Sequence, residues 1–334
     1  MKRIYTLFLS LVCFTAVCSF GQTVSNVDAY QEGKNIIITY EMDKAGSVGD
    51  VFCSTDGGRT WGEALRQVTG DVNKQVPAGS HRIVWNVLAE REKLAGANIC
   101  FKVEANSGKF TVNGVSFEMV LVEGGTFRMG ATSEQEDEAE SDEKPVHSVT
   151  LSSYYIGKTE VTQALWQAVM GSNPSYNKGA DLPVERVSWD DCQEFIQKLN
   201  RLTGRNFRLP TEAEWEFACR GGNNSRGYKY SGSNYIDNVA WYDGYSGAHP
   251  VGTKAPNELG IYDMSGNVWE WCSDWYADYT SYSQTDPTGP QSGSRRVDRG
   301  GCCDSYARFC RSLNRGNDYP AFRGYGSLGL RLAL

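Results

Sequence analysis

The chain has 334 residues, with 33 Lys and Arg against 40 Asp and Glu and a formal net charge of −7. Hydrophobic residues make up 40% and aromatic residues 12%, enough to bury a core, so wholesale disorder is excluded. The acidic balance also excludes nucleic acid as the main partner, because phosphate binding needs clustered Lys and Arg.

Residues 1–21 read as a secretory signal peptide. Lys2 and Arg3 form the positive end, an apolar run extends from Ile4 to Val17, and Ser19 and Gly21 are small enough for cleavage before Gln22. Cys18 follows an apolar run as a lipid-attachment Cys does, but Val17 is larger than such a site takes. No later stretch approaches 18 apolar residues, so no transmembrane segment is expected in the mature chain. Loss of Lys2 and Arg3 takes the net charge from −7 to −9. The exported chain is expected in the periplasm, at the cell surface or in the medium. It keeps Cys53, Cys100, Cys192, Cys219, Cys272, Cys302, Cys303 and Cys310, which there are disulfide candidates, metal ligands or reactive thiols.

Residues 22–106 read as an all-β domain. Asn35–Tyr40, Gly49–Cys53, His81–Trp85 and Ala97–Val103 have strand character, and Asp56-Gly57-Gly58 reads as a hairpin turn. The segment resembles the immunoglobulin-like β-sandwich modules that precede other domains in secreted bacterial proteins. Cys53 and Cys100 both fall on expected strands; an inter-strand disulfide and two buried thiols stand as the alternatives. Ala105-Asn106-Ser107-Gly108 signals a linker, placed at 107–111.

The remainder, 112–334, is Trp-rich and irregular, an α+β pattern. Residues 134–143 hold seven carboxylates, read as a solvated, self-repelling loop in preference to a calcium site. Three helices are predicted. Thr162 caps one carrying Leu165, Trp166 and Val169, which Gly171 ends. Ser188 and Asp191 form a capping box before Cys192, Phe195, Ile196 and Leu199, and Gly204 stops that run. Thr211 and Glu214 form another before Trp215, Ala218 and Cys219. Cys192 and Cys219 thereby fall on core-facing stripes. The irregular backbone elsewhere leaves many carbonyls unpaired, for which bound cations are a common remedy.

Several phrases occur together in order: Gly124-Gly125-Thr126-Phe127-Arg128-Met129-Gly130, Lys158-Thr159-Glu160-Val161-Thr162, Leu182-Pro183-Val184-Glu185-Arg186-Val187-Ser188-Trp189, Arg208-Leu209-Pro210-Thr211-Glu212-Ala213-Glu214-Trp215-Glu216, Gly260 through Trp271, Arg299-Gly300-Gly301 and Gly329-Leu330-Arg331. With these, residues 112–334 resemble the sulfatase-modifying factor family, the formylglycine-generating enzymes. The resemblance implies an irregular α+β fold related to C-type lectins. It implies oxidation of a sulfatase Cys in a Cys-x-Pro-x-Arg motif, using O2 and Cu(I) held by two Cys; soft thiolates suit that ion. In those enzymes two Cys, five residues apart, follow the Gly-Gly-Ser phrase. Here the first position falls on Ser305, a poor Cu(I) ligand, and the second on Cys310. Cys302 and Cys303 are substitute ligands at most singly, because adjacent residues on a strand point opposite ways. A structural disulfide from Cys310 to Cys272 or another Cys is the alternative. The partner position of Cys219 in the animal enzymes' disulfides falls on Arg315, so that bridge is not expected.

The resemblance also implies Ca2+ at Asp263, Gly266, Val268 and Glu270, and part of a second calcium site at Asn238 and Val239. The family's non-haem iron branch needs a His-rich triad, which His81, His147 and His249 do not supply. Two readings follow: an exported oxidase acting on a sulfatase peptide, or a non-catalytic binding or scaffold module for another envelope protein.

Overall fold

The computed structural model describes residues 24–334, apart from 45, 73–74, 92–93, 97, 106–107, 245–246 and 325. The expected signal peptide lies outside the described residues. The chain divides into two compact units between Ser107 and Gly108.

The first unit is built from β1 (Val24–Glu32), β2 (Asn35–Met42), β3 (Gly46–Ser54), β4 (Val68–Gly70), β5 (Gln75–Val76), β6 (Gly79–Trp85), one helical turn α1 (Val87–Glu90) and β7 (Cys100–Ala105). The strands form two antiparallel sheets, ordered β1-β2-β6-β4 and β5-β3-β7. Period-2 alternation puts Ile36, Ile38 and Tyr40 on one face of β2. There they share a core with Val51 and Cys53 of β3, Ile83 and Trp85 of β6, and Phe101 and Val103 of β7.

One expectation fails here, and one pair of alternatives is decided. Gly57 and Gly58 do take positive φ, 76° and 83°, but the turn joins no neighbouring strands. The Asp56 carboxylate instead accepts from the backbone N–H groups of Arg59 and Thr60 at 3.0 Å, and the next strand, β4, pairs in the other sheet. Cys53 and Cys100 are not joined by a disulfide. The register sets Cys53 opposite Phe101 and Cys100 opposite Ser54, so the two sulfurs fall on opposite faces of the sheet.

The second unit begins at once. Lys109–Val112, of which all but Val112 was expected as linker, is β8, with Phe110 and Val112 buried and their neighbours exposed. It pairs with β9 (Val115–Val122), which pairs with β12 (Tyr154–Gly157). β10 (Gly125–Met129), β11 (His147–Leu151) and β14 (Gln284–Thr285) make a second sheet. β13 (Trp269–Trp275), β15 (Arg296–Arg299), β16 (Arg315–Asp318) and β17 (Leu328–Leu330) make a third, in the order β16-β15-β13-β17. The last residues close against the start of the unit: Tyr155 and Leu334 exchange backbone hydrogen bonds at 3.0 and 3.1 Å.

The three predicted helices form as read. They are α2 (Gln163–Met170), α3 (Trp189–Thr203) and α4 (Glu212–Cys219). Thr162 caps the first and Gly171 ends it in the left-handed conformation. Both capping boxes are present, Ser188 with Asp191 and Thr211 with Glu214. Cys192 and Cys219 pack in apolar clusters as expected, and Cys272 joins Cys219 in one of them.

The irregular backbone is satisfied by arginine. Arg331 pairs with Glu270 (2.6 Å) and donates to the carbonyls of Gly157 and Tyr262, both at 2.8 Å. Arg299 pairs with Glu216 (2.7 Å) and donates to Leu313 O; Arg315 pairs with Glu212 (2.7 Å) and donates to Asp142 O and Ala277 O. Arg311 pairs with Glu143 (2.6 Å) and donates to Arg308 O. A guanidinium offers five donors, so one buried Arg satisfies a carboxylate and loop carbonyls together. The run 134–143 is therefore not a wholly solvated loop. It carries two short 3-10 helices, and Glu143 is fully buried.

Candidate functional site

Strand β15 runs into Gly300 and Gly301, whose φ values of 97° and 73° turn the chain sharply. A side chain at 301 would bring Cβ within 2.8 Å of the Cys310 sulfur. Residues 302–305 form a turn, Ser305 N–H donating to Cys302 O at 2.9 Å. The turn is pinned to two neighbouring loops: Cys303 N–H donates to Asn267 O (2.9 Å), and Gly244 N–H to Cys303 O (2.8 Å). A 3-10 helix, Ala307–Cys310, follows and buries Cys310 against Tyr230 and Val239.

Ser305 Oγ lies 3.2 Å from Cys302 Sγ and accepts from Cys302 N–H at 3.1 Å. The neighbouring Cys303 thiol first, then the Ser305 hydroxyl and the Asp304 backbone N–H, hold the Cys302 thiol down to about 6 against the opposing effect of burial. The Cys302 neighbour, with burial second, drives Cys303 far up. Burial, with the Cys302 charge second, pushes Cys310 far above the ordinary thiol range.

The pair expected to hold copper does not fit Cu(I). Ser305 presents a hydroxyl already engaged with Cys302, and Cys310 is a fully buried thiol packed behind Gly301, where burial disfavours the thiolate that Cu(I) needs. Cys310 makes no disulfide with Cys272 or any other Cys among the described residues.

The calcium positions divide. Asp263, held at φ 57°, accepts from Gly252 N–H at 2.6 Å. Glu270, however, spends both oxygens on Arg331, and Oε2 also accepts from Trp215 Nε1 at 2.7 Å. Gly266 and Val268 lie between them, Gly266 N–H donating to Gly300 O and Val268 fully buried. At the second set, Asn238 O accepts from Ala255 N–H, and Val239 belongs to the Cys310 cluster. The Lys254 ammonium donates to the adjoining Asp237 carbonyl at 2.7 Å, so a cation already serves that loop.

The sequence reading gave no role to Glu160, which lies beside Asp263. Glu160 is 2% exposed; Oε1 accepts from Asn267 Nδ2 at 3.0 Å, and Oε2 is buried without a hydrogen-bond partner among the described residues. Burial and the Asp263 charge push its carboxyl up, and burial raises Asp263 too. Two adjacent buried carboxyls share a proton or hold a cation, and hard oxygens suit Ca2+. Glu160 also lines a cavity of about 360 Å³ with Lys158, Thr159, Gly252 and Tyr262. Asn267 links this pair to the thiol turn, since its carbonyl accepts from Cys303 N–H. Nearby, His249 N–H donates to Asn267 Oδ1, and the His249 ring stacks on Trp241 at 3.8 Å. Among the described residues, no group of three His, Cys, Asp or Glu side chains is gathered to hold a metal, so any ion here would draw on backbone carbonyls.

Among the described residues, no helix is long and apolar enough to cross a membrane. Residues 105–334 match the family described as the sulfatase-modifying factor enzyme 1-like domain. The chain is 37% identical over 245 residues to the chaperone protein LppX of Paenibacillus barcinonensis, covering 58% of this chain and 81% of that one. It is 35% identical over 193 residues to the formylglycine-generating enzyme of Thermomonospora curvata, covering 49% of this chain and 61% of the enzyme. It thus spans about three-fifths of that enzyme's length. Among solved structures, Treponema denticola variable protein 1 superposes with a TM-score of 0.61 at 36% identity, covering 67% of this chain and 97% of that one. The chain therefore belongs to the sulfatase-modifying factor, or formylglycine-generating-enzyme, family.

Proposed function

We propose that the chain is an exported, non-catalytic member of this family, a protein-binding module of the cell envelope. The observation that carries the reading is Ser305. The first of the two copper positions holds a hydroxyl, and that hydroxyl is committed to Cys302. The relatives agree: LppX, named a chaperone, and variable protein 1 are covered over 81% and 97% of their lengths, against 61% for the Thermomonospora enzyme. Exposed aromatic side chains near Cys310 supply a surface for a partner. Tyr235, next to Ile236 of the Cys310 cluster, is 75% exposed, and Tyr306, which begins the Cys310 helix, is 64% exposed.

Finer parts of the reading belong to the same proposal. The first unit is an immunoglobulin-like sandwich, supported by its two antiparallel sheets around one core. The second is C-type-lectin-like, supported by its closed termini and irregular interior. A structural Ca2+ sits at Asp263 and Glu160, supported by the unpartnered Glu160 oxygen.

The test is direct. Reduced full chain is loaded with Cu(I) and incubated in air with a Cys-x-Pro-x-Arg peptide, beside an active formylglycine-generating enzyme. No aldehyde is expected by mass spectrometry while the control turns over. Aldehyde formation that is lost in Cys310→Ala would establish the oxidase and overturn the proposal.

A further inference from the structure

We infer that the cavity at Asp274 binds an organic ammonium ion, either a free alkylamine or the side chain of a lysine. This goes beyond the envelope-binding reading and does not depend on it.

The cavity has a volume of about 570 Å³ and lies between the end of β13, the start of α4 and the segment 277–290. That volume suits a ligand of amino-acid size or larger. Asp274 in its wall is buried, whereas the lining residues Asp278, Thr280 and Thr288 are exposed. The space therefore opens to solvent, with one carboxylate inside and another at the mouth.

The chain supplies no cation for Asp274. Arg315, the arginine that lines the cavity, gives Nε and Nη2 to Glu212 at 2.7 and 2.9 Å, and its remaining contacts go to Asp142 O and Ala277 O. Arg208 is held by both oxygens of Glu214. Arg296 donates to Ser273 O from between the rings of Trp189 and Trp275. His147 sets Nδ1 3.1 Å from Pro145 O. Each nearby cationic side chain is thus committed elsewhere. A buried carboxylate left without a counter-charge is costly, and a cationic ligand removes that cost.

The contacts of the carboxyl select the kind of cation. Both hydrogen bonds it accepts, from Glu212 N–H and the Ser273 hydroxyl, go to Oδ2. Gly289 lies against the same carboxyl at a φ of 70°, and a Cβ there would stand 3.1 Å from Oδ1. The missing side chain leaves Oδ1 uncrowded. One open oxygen fits a compact ammonium, whereas a guanidinium is matched by two oxygens side by side. A bare metal ion needs several hard oxygens, and among the described residues no group of three His, Cys, Asp or Glu side chains is gathered for one. Trp275 and Tyr279 in the wall offer apolar surface to an alkyl stem.

The experiment is calorimetric titration of the full chain in amine-free phosphate buffer at pH 8, where the Asp274 carboxyl, raised by burial to about 7, is ionised. The probes are n-butylamine, Nα-acetyl-lysine methylamide and the uncharged Nα-acetyl-norleucine methylamide. Both amines should bind with Kd of about 1 mM or lower, and the norleucine compound at least about tenfold more weakly. Tighter binding of the lysine compound than of butylamine assigns the site to a lysine side chain, and equal binding to a free amine; either supports the proposal. In Asp274→Asn the amide oxygen keeps the two bonds to Oδ2, and the amide nitrogen puts a donor where the ammonium needs an acceptor. That variant should lose at least about tenfold in amine affinity while unfolding cooperatively in urea as wild type does. No binding of either amine up to about 10 mM, equal binding of the norleucine compound, or amine binding undiminished in Asp274→Asn would each overturn the proposal. The first two are read on the wild-type chain, so the conclusion does not rest on a variant folding.

Discussion

Replacing Asp274 by Asn should make the second unit more stable, by an amount that grows from about pH 4 to its full size above about pH 7. Asp274 is 5% exposed, at the edge of a cavity of about 570 Å³ lined also by His147, Glu212, Trp275 and Arg315. Its Oδ2 accepts from Glu212 N–H (3.0 Å) and the Ser273 hydroxyl (2.9 Å), and an Asn Oδ1 accepts the same two bonds. Burial first, then the Glu212 charge, pushes the Asp274 carboxyl up to about 7 from an ordinary 3.8. A carboxyl raised on folding binds more protons in the native than in the unfolded state between those values. Its contribution is thus favourable below about 3.8 and is lost as pH rises through about 7. At about 1.4 kcal/mol per pH unit, the gap amounts to about 4 kcal/mol as a ceiling; water in the cavity reduces it, and about 2 kcal/mol is the lower expectation. Urea unfolding followed by Trp fluorescence at pH 4.5, 6, 7.5 and 8.5 measures it, with wild type and Asp274→Asn side by side. The two should be closest at pH 4.5, where about a quarter of the effect has developed, diverge through pH 6 and level off above about pH 7.5, the variant then being more stable by about 2 to 4 kcal/mol. A difference that does not change with pH would refute the reasoning, because a neutral amide differs from a neutral acid by a constant.

Glu216→Ala leaves Arg299 with only the more distant Glu212 carboxylate (3.5 Å) and takes the acceptor from Arg220 and Gly130 N–H, so it should cost about 3 to 5 kcal/mol in the same unfolding assay, while Glu216→Gln, which keeps an acceptor, should cost less. Equal losses would mean that packing, not charge, governs the site. Calcium should raise the melting temperature, with about 2.7 kcal/mol of stabilisation at a hundredfold excess over Kd. Glu160→Gln should abolish that response and raise the calcium-free stability, because it replaces a buried carboxyl beside the Asp263 carboxyl by a neutral amide; a calcium response that survives in the variant would move the ion elsewhere.

What was legible in the sequence was what is decided within a few residues. Ser188 and Asp191 close a box three residues long whatever the rest of the chain does, and Thr211 with Glu214 does the same. What was not legible depends on residues brought from far away. Glu160 reads as one letter of a strand-end phrase; its meaning comes from Asn267, 107 residues on, and from Asp263 beside it. Several loop carbonyls for which bound cations were the expected remedy find another one. Arg299, Arg311, Arg315 and Arg331 supply the charge from within the chain, and Arg331 takes both oxygens of Glu270, the carboxylate expected to bind calcium. At the thiol site the signal visible in the sequence is the pair of glycines before Cys302: both take positive φ, and the chain leaves the strand for the turn 302–305. Ser305 then changes meaning. Read as a ligand position it is a loss, a hydroxyl where copper needs sulfur; in the turn its Oγ accepts from Cys302 N–H and lies 3.2 Å from the Cys302 sulfur. A Cys at 305 would restore the ligand type while replacing that hydroxyl with a weaker hydrogen-bonding group.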